Sequence, residues 1–430
     1  MNMYEEANTP DYPRFLPYLI CALAALFYVY DFFIQVSPSI MTNELMREFS
    51  IGAGELGVLA ACFYYSYTLM QIPVGLLIDR FGARRLLTFS VLISGLGVTM
   101  FGMTHSIVVV GFSRFCIGFG SAFSFISALY LASRWFSHRY FALVAGLVQT
   151  AGCIGSIIGL APLAAIINHF GWRETMIVTG LFTLLLSLIF WCVIRDGQAK
   201  HHTFSCKQIE NEWHRLQALF HIRQVWWIGL AALLSWMPVA CIGALWGVPY
   251  LMKVYGWSNT TAGNWCSLIW IGVGLGSPVI GWVSDRLGKR CPPMIVCFSL
   301  GVIGGILFVY ADSLPPIFAG IGLLFIGLAA AVQSFTFSLI KDNVPPAAFG
   351  TASGFNNMAV IIGGAVMQPA IGFILHWGWT GEMLNGVPFY TAHNYQVALV
   401  ALPIASFIGI LVSRFKVQET YCKHQLDSSQ

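Results

Sequence analysis

Charge is what this sequence lacks. Asp, Glu, Lys and Arg together supply 9% of the 430 residues while 57% are hydrophobic, whereas a soluble domain carries about 25% charged residues. Such a chain is solvated mainly by lipid. A helix needs roughly 20 apolar residues to cross the hydrocarbon core, so a chain of this length with brief polar breaks holds about twelve crossings. No stretch is left over for a separate soluble domain. CxxC pairs are missing among the 11 cysteines, most of which fall in apolar runs, so neither a disulfide framework nor a metal site is indicated. A phosphate loop, a nucleophile elbow and clustered acid/base pairs are missing as well, which argues against an enzyme and gives no cofactor a place to bind. The first apolar run, from about Leu16, is followed by no small-residue cleavage site and carries Asp31 in its middle. It is expected to stay in the mature protein as a span.

Apolar runs separated by Gly, Pro and charge predict helices near 16–41, 54–78, 86–104, 107–133, 141–168 and 172–194, then near 225–252, 260–284, 294–311, 315–340, 350–377 and 394–413. Basic residues test the topology independently, because Lys and Arg accumulate in cytoplasmic loops. With both termini inside, 18 of the 22 Lys and Arg are cytoplasmic, Arg47, Arg173 and Lys253 are outside, and Arg114 lies within a span. The net charge of +4 is therefore a topological signal. It is not the aromatic-interleaved basic patch of a nucleic-acid binder. The expected organisation is a cytoplasmic tail (1–15), a six-helix bundle (16–194), a cytoplasmic linker (195–223), a second six-helix bundle (224–414) and a cytoplasmic tail (415–430). His201, His202, Cys206 and His214 in the linker fit no ligand spacing and read as solvated chain.

An internal repeat runs through the chain. The loop after the second helix has Gly75, Asp79, Arg80, Gly82, Arg84 and Arg85; the loop after the eighth has Gly281, Asp285, Arg286, Gly288, Lys289 and Arg290, at an offset of 206 residues. Ile117 and Gly118 match Ile326 and Gly327 at 209, and His169 to Trp172 match His376 to Trp379 at 207. Duplication of an even-numbered unit keeps both copies in one orientation, with an axis along the membrane normal and a cavity between them at mid-depth. The expected fold is thus all-α: twelve transmembrane helices as two pseudo-symmetric six-helix bundles around a central cavity.

The duplicated loop, together with Arg114, Gly118 and Gly120 on the fourth helix and Gly171, Trp172 and Arg173 after the fifth, resembles the major facilitator superfamily over essentially the whole chain. Met70 to Leu76, and Leu245 to Tyr250, are similar to segments of bacterial nutrient and organic-solute carriers, including the phagosomal-transporter type. The resemblance implies alternating access, a multi-pass place in a bacterial inner membrane, and loops whose charges lock the outward-open state without touching substrate. Drug antiporters of the family end a Gly-rich stretch of the fifth helix in a Gly doublet. The corresponding Gly155, Gly159 and Pro162 lack it, which favours uptake over efflux.

Asp31 and Arg114 are the ionisable residues within the spans, and a charge at mid-depth must face a cavity or a partner. Asp31 is expected to be a protonatable coupling site, and Arg114 to bind an anionic group of the substrate or to set the state of Asp31. The alternative is a structural ion pair. Tyr28, Asp31 and Gln35 form a polar stripe on the first helix. Further cavity candidates are Tyr64, Tyr67, Gln71, Gln149, Trp246, Tyr250, Gln333, Asn356 and Asn357, each of which could instead make an interhelical hydrogen bond or an interfacial contact. Gln149 and Asn357 occupy equivalent repeat positions. The expected activity is secondary active transport of a small polar organic solute, an amino acid or organic anion, by proton symport in a monomer. The alternatives are a proton-antiport exporter of drug or siderophore-like molecules, and a non-transporting sensor. The partners are then the solute, the proton and membrane lipid.

Overall fold

The computed structural model describes residues 13, 15–136, 141–196, 219–345 and 348–421, apart from the side chains of Leu76, Asp79, Phe141, Ala142, Leu143 and Ala145. The linker histidines and Cys206 lie outside that set. Lipid offers backbone groups no hydrogen bonds, so each apolar run closes its own as a helix. Among the described residues, eleven segments are long and apolar enough to cross a membrane: Leu16–Ile40, Ala83–Met103, Ile107–Trp135, Gly146–Phe170, Trp172–Val193, Arg223–Tyr255, Asn259–Leu287, Cys291–Val309, Pro316–Asn343, Phe349–Trp377 and Ala392–Phe415. Ala53–Phe81, a 29-residue helix, completes twelve. We number them as spans 1 to 12 in chain order, with Ala53–Phe81 as span 2.

The packing repeats as the sequence does. Span 1 packs on spans 4 and 5, span 2 on span 4, and span 3 on spans 4 and 6; span 7 packs on spans 10 and 11, span 8 on span 10, and span 9 on spans 10 and 12. One close approach recurs at equivalent positions. A Cβ on Gly118 would lie 2.0 Å from the Phe63 carbonyl oxygen, and one on Gly327 would lie 2.0 Å from that of Ile269. Only glycine lets these backbones meet. Just beyond each glycine the helix is interrupted, between Ser121 and Ser124 in span 4 and between Ala329 and Val332 in span 10. Span 5 is interrupted as well, between Ile158 and Ala161. The sequence predicts unbroken helices over 107–133 and 141–168. The breaks arise where glycines press one helix onto a neighbour, as Gly159 does on Phe33.

Proline introduces two further irregularities. Span 1 ends in a 3₁₀ turn, Ser37–Ile40, containing Pro38, and span 7 continues after Pro238 as π-helix over Val239–Trp246.

The halves meet along span 2 with span 11 and along span 5 with span 8, two pairs that the repeat interchanges. On the side away from the termini they are sealed. Asn259 Nδ2 donates to the Ile40 carbonyl (2.6 Å), Asn168 Nδ2 to Thr260 Oγ1 (3.3 Å), and the Ala53 N–H to Tyr390 Oη (3.0 Å). Tyr390 follows a two-stranded hairpin, Met383–Leu384 with Val387–Pro388, which has no counterpart in the first half, where Gly171 at φ +84° joins spans 5 and 6 directly. Deeper in, glycines 54, 57, 364 and 372 let spans 2 and 11 touch, while a Cβ at Gly75, Gly146, Gly281 or Gly350, towards the termini, would meet nothing within 4 Å.

Candidate functional site

The polar stripe on span 1 fans out to three different helices at mid-depth. Tyr28 Oη donates to Gln149 Oε1 of span 5 (3.2 Å), Ser124 Oγ of span 4 donates to Asp31 Oδ2 (2.8 Å), and Gln35 Nε2 donates to Tyr64 Oη of span 2 (3.0 Å). Asp31 is 1% exposed. Its Oδ1 makes no close hydrogen bond, and the Ser121 hydroxyl, which makes none either, lies near enough to interact with the carboxyl.

Arg114 is equally buried. Its Nη1 donates to the Ile34 carbonyl (3.1 Å), the guanidinium lies 5.1 Å from the Phe63 ring centroid, and Nε is unpartnered. A narrow crevice of Ile34, Ser37, Val98, Phe101, Ile117 and Met176 surrounds it, so it occupies the interior of the first bundle. The ion pairs among the described residues are Arg173 with Glu48 and Arg290 with Asp285. Asp31 and Arg114 therefore stand apart from each other, each held by neutral groups.

Tyr64 carries the network into the second half. Its hydroxyl also accepts from Gln368 Nε2 of span 11 (3.4 Å), which bonds the Ala240 carbonyl of span 7 as well (2.8 Å). Two helical turns further along span 2, Asn357 Nδ2 donates to Gln71 Oε1 and crosses the interface again. Tyr67, stacked on Phe63 at 5.8 Å, lies between these two links.

The remaining candidates sit elsewhere. Asn356 turns into the second bundle and donates to Thr336 (3.0 Å), Gln333 is half-buried on span 10, Trp246 donates to the Gln368 carbonyl (3.1 Å), and Tyr250 donates to the Val309 carbonyl on span 9. These contacts fix helices within one half. Residues that the sequence reading passed over are Phe32, Ser124, Trp236, Trp270 and Gln368. The spacing of Ser121, Ser124 and Ser127 on one helical face, and a glutamine before Pro369 inside an apolar run, were the signals available for two of them.

The repeated loops share a second device. In the first half, Gly82 at φ +79° turns the chain into span 3, and Asp196, just after span 6, accepts from the Arg84 N–H (2.8 Å). In the second half, Gly288 at φ +61° does the same ahead of span 9, whose first N–H groups, of Arg290 and Cys291, donate to Glu419 after span 12 (both 2.8 Å). A carboxylate thus caps the third helix of each half against its helix dipole. The Arg84 guanidinium reaches the Trp191 carbonyl (2.7 Å), Asp285 pairs with Arg290 (2.8 Å), and Gly75, Arg80, Arg85 and Arg286 are exposed while Gly281 is partly so. The side chain of Asp79 lies outside the described set.

Residues 21–245 and 228–420, together nearly the whole chain, match the family model described as Major Facilitator Superfamily. The chain belongs to the Major Facilitator Superfamily. It is a multi-pass membrane carrier of the secondary type and not an enzyme. Among its relatives are the "Uncharacterized transporter YybO" of Bacillus subtilis, 24% identical over 86% of this chain and 89% of that one, and the "Probable sulfoacetate transporter SauU" of Cupriavidus necator, 23% identical over 83% and 87%. The "Membrane sensor protein UhpC" of Salmonella typhimurium is 24% identical over 91% and 90%. The fold is shared with a crystal structure of a bacterial homologue of the lysosomal transporter Spinster (TM-score 0.73, 16% identity, 93% of this chain and 97% of that one). Its two bundles are joined at mid-depth by the hydrogen bonds of Tyr64 with Gln368 and of Gln71 with Asn357.

Proposed function

We propose that this carrier takes up a small organic anion together with a proton, and that Asp31 carries the proton. The observation behind this reading is the state of the Asp31 carboxyl: fully buried in the interior of span 1, bonded at Oδ2 by Ser124 and open at Oδ1. A carboxylate at that depth without a cation is costly. A proton on Oδ1 removes the cost, and a conformation that brings water or solute to Oδ1 releases it. Uptake then couples the two fluxes through alternating access. Arg114 supplies the counter-charge for the anion, the layer of Tyr28, Gln35, Tyr64, Tyr67, Gln71, Gln149 and Asn357 separates the two access routes, and the duplicated loops hold the outward-open state. The basic-residue asymmetry supports cytoplasmic termini in a bacterial inner membrane. An organic anion is consistent with the sulfoacetate named for one relative.

Reconstituted vesicles test it. Labelled sulfoacetate, glucarate and benzoate are offered under an inward and then an outward proton gradient. We expect one of them to accumulate only under the inward gradient, and Asp31→Asn to abolish accumulation while leaving solute exchange. Accumulation driven by the outward gradient means export, and full proton-driven accumulation by Asp31→Asn removes the aspartate from the mechanism. The UhpC relative motivates a second reading, a solute sensor. Ligand binding without transport in the same vesicles would select it.

A further inference from the structure

The interface between the halves is aromatic at one level. Phe125 of span 4 packs on Tyr28 (5.1 Å between centroids), Tyr28 on Phe32 (4.9 Å), Phe32 on Trp270 of span 8 (5.6 Å), and Trp270 on Trp236 of span 7 (6.3 Å). The strip is continuous from the first bundle to the second. It ends on two indoles that are 0% and 2% exposed, and neither indole N–H has a partner. Buried indoles usually find one. Trp246, as deeply buried in the same span as Trp236, gives its N–H to the Gln368 carbonyl. Two orphan donors on rings 6.3 Å apart, at the interface that must open in alternating access, are what a bound acceptor would satisfy. Gly243, on the π-helical stretch of span 7, faces the Nε1 edge of Trp270: a Cβ there would lie 3.2 and 3.3 Å from its Cζ2 and Cε2. The backbone that Gly243 presents to that edge carries no side chain, and it lies in a helix type often found at functional positions.

Charge supplies the second constraint. Among the described residues, Arg114 is the one basic residue away from the ends of a span, and it lies inside the first bundle against span 1, the helix that carries Phe32, so the interior holds one positive charge. A doubly charged solute would leave one charge uncompensated in a low-dielectric interface.

We infer that the transported solute is a ring-bearing monoanion, its flat ring set against the Phe32, Trp270 and Trp236 strip and an acceptor oxygen meeting the two indole N–H groups. This deepens the carrier reading above and rests on it. Equilibrium binding tests it without a proton gradient. Purified protein is titrated calorimetrically with benzoate and 4-hydroxybenzoate, and in parallel with the aliphatic dianions succinate and glucose 6-phosphate. We expect the ring monoanions to bind at least about tenfold more tightly than either dianion, and Trp236→Phe and Trp270→Phe, which keep a ring and remove the donor, each to weaken that binding by about tenfold. Binding of a dianion as tight as that of the ring compounds overturns the inference, as does no ring compound binding at millimolar concentration, or unchanged affinity in both Phe variants. If one variant does not fold, the other and the wild-type series still decide. Proton-driven transport of a non-ring solute would refute the inference and leave the carrier reading standing; ring binding without any proton-driven uptake would do the reverse.

Discussion

Gly118→Ala measures how much of the first bundle depends on one backbone contact. The added Cβ would lie 2.0 Å from the Phe63 carbonyl oxygen, 2.5 Å from Ser66 Oγ and 2.7 Å from the Phe63 carbonyl carbon. Two of those atoms are backbone and cannot rotate away, so spans 2 and 4 must separate by about 1 Å before the contact is tolerable. Overpacking of this kind costs about 1–3 kcal/mol. Gly327→Ala meets Ile269 in the same way, and because the two sites share no partner the double variant should cost about 2–6 kcal/mol. Gly75→Ala is the control: its Cβ meets nothing, and glycine within a helix is itself unfavourable by about 0.5–1 kcal/mol, so this variant should be neutral or slightly more stable. The assay is the fraction of detergent-solubilised protein that stays monodisperse after a series of heat steps. We expect a graded loss from Gly75→Ala through either single variant to the double. If Gly118→Ala and Gly75→Ala lose monodispersity at the same temperature, spans 2 and 4 are not in backbone contact and the account of the bundle fails.

Removing the carboxylate caps should loosen the ends of spans 3 and 9 separately: Asp196→Ala and Glu419→Ala are each expected to cost about 0.5–2 kcal/mol, read as lower heat stability and faster proteolysis of the neighbouring loop. Tyr390→Phe deletes the bond to the Ala53 N–H, worth about 0.5–1.5 kcal/mol. It should raise the outward-open population roughly two- to tenfold, seen as faster thiol labelling of a cysteine replacing Ser39, which is buried beside the seal; an unchanged rate would mean the hairpin does not hold the seal. Gln71→Cys with Asn357→Cys, which replaces the hydrogen-bonded pair across the interface, should oxidise to a cross-link joining the halves. Exchange of solute should then stop and return with reductant, and undiminished exchange in the cross-linked protein would rule out separation of spans 2 and 11 during transport.

Much of the architecture was legible in the order of residues. Apolar run lengths locate the crossings, because lipid leaves a backbone no other partner than itself, and the offset of 206–209 between the loop and glycine motifs anticipates a structure in which Gly118 and Gly327 make the same contact. The chain irregularities were less visible. Span 4 reads as uninterrupted, yet it breaks after Ser121, since the break follows from how closely Gly118 is pressed on span 2. The partition of the polar residues was not legible either. Asn356 and Asn357 are adjacent and chemically identical, yet one turns into its own bundle and the other crosses to Gln71, because successive helical positions point about 100° apart and only the packing fixes which direction is the interface.

The sequence by itself determined that this chain lives in lipid, crosses it twelve times and is built twice, because hydropathy, spacing and repetition are properties of residue order. It also indicated that Asp31 and Arg114 carry the charge in the middle of the spans. Only the tertiary structure decided that these two do not meet: Asp31 is held by Ser124, and Arg114 by the Ile34 carbonyl. It alone assembled Phe32, Trp236 and Trp270, more than 200 residues apart at their extremes, into one aromatic strip. Side chains brought together by helix packing share no local pattern in the chain, so their conjunction exists only where the two halves close on each other.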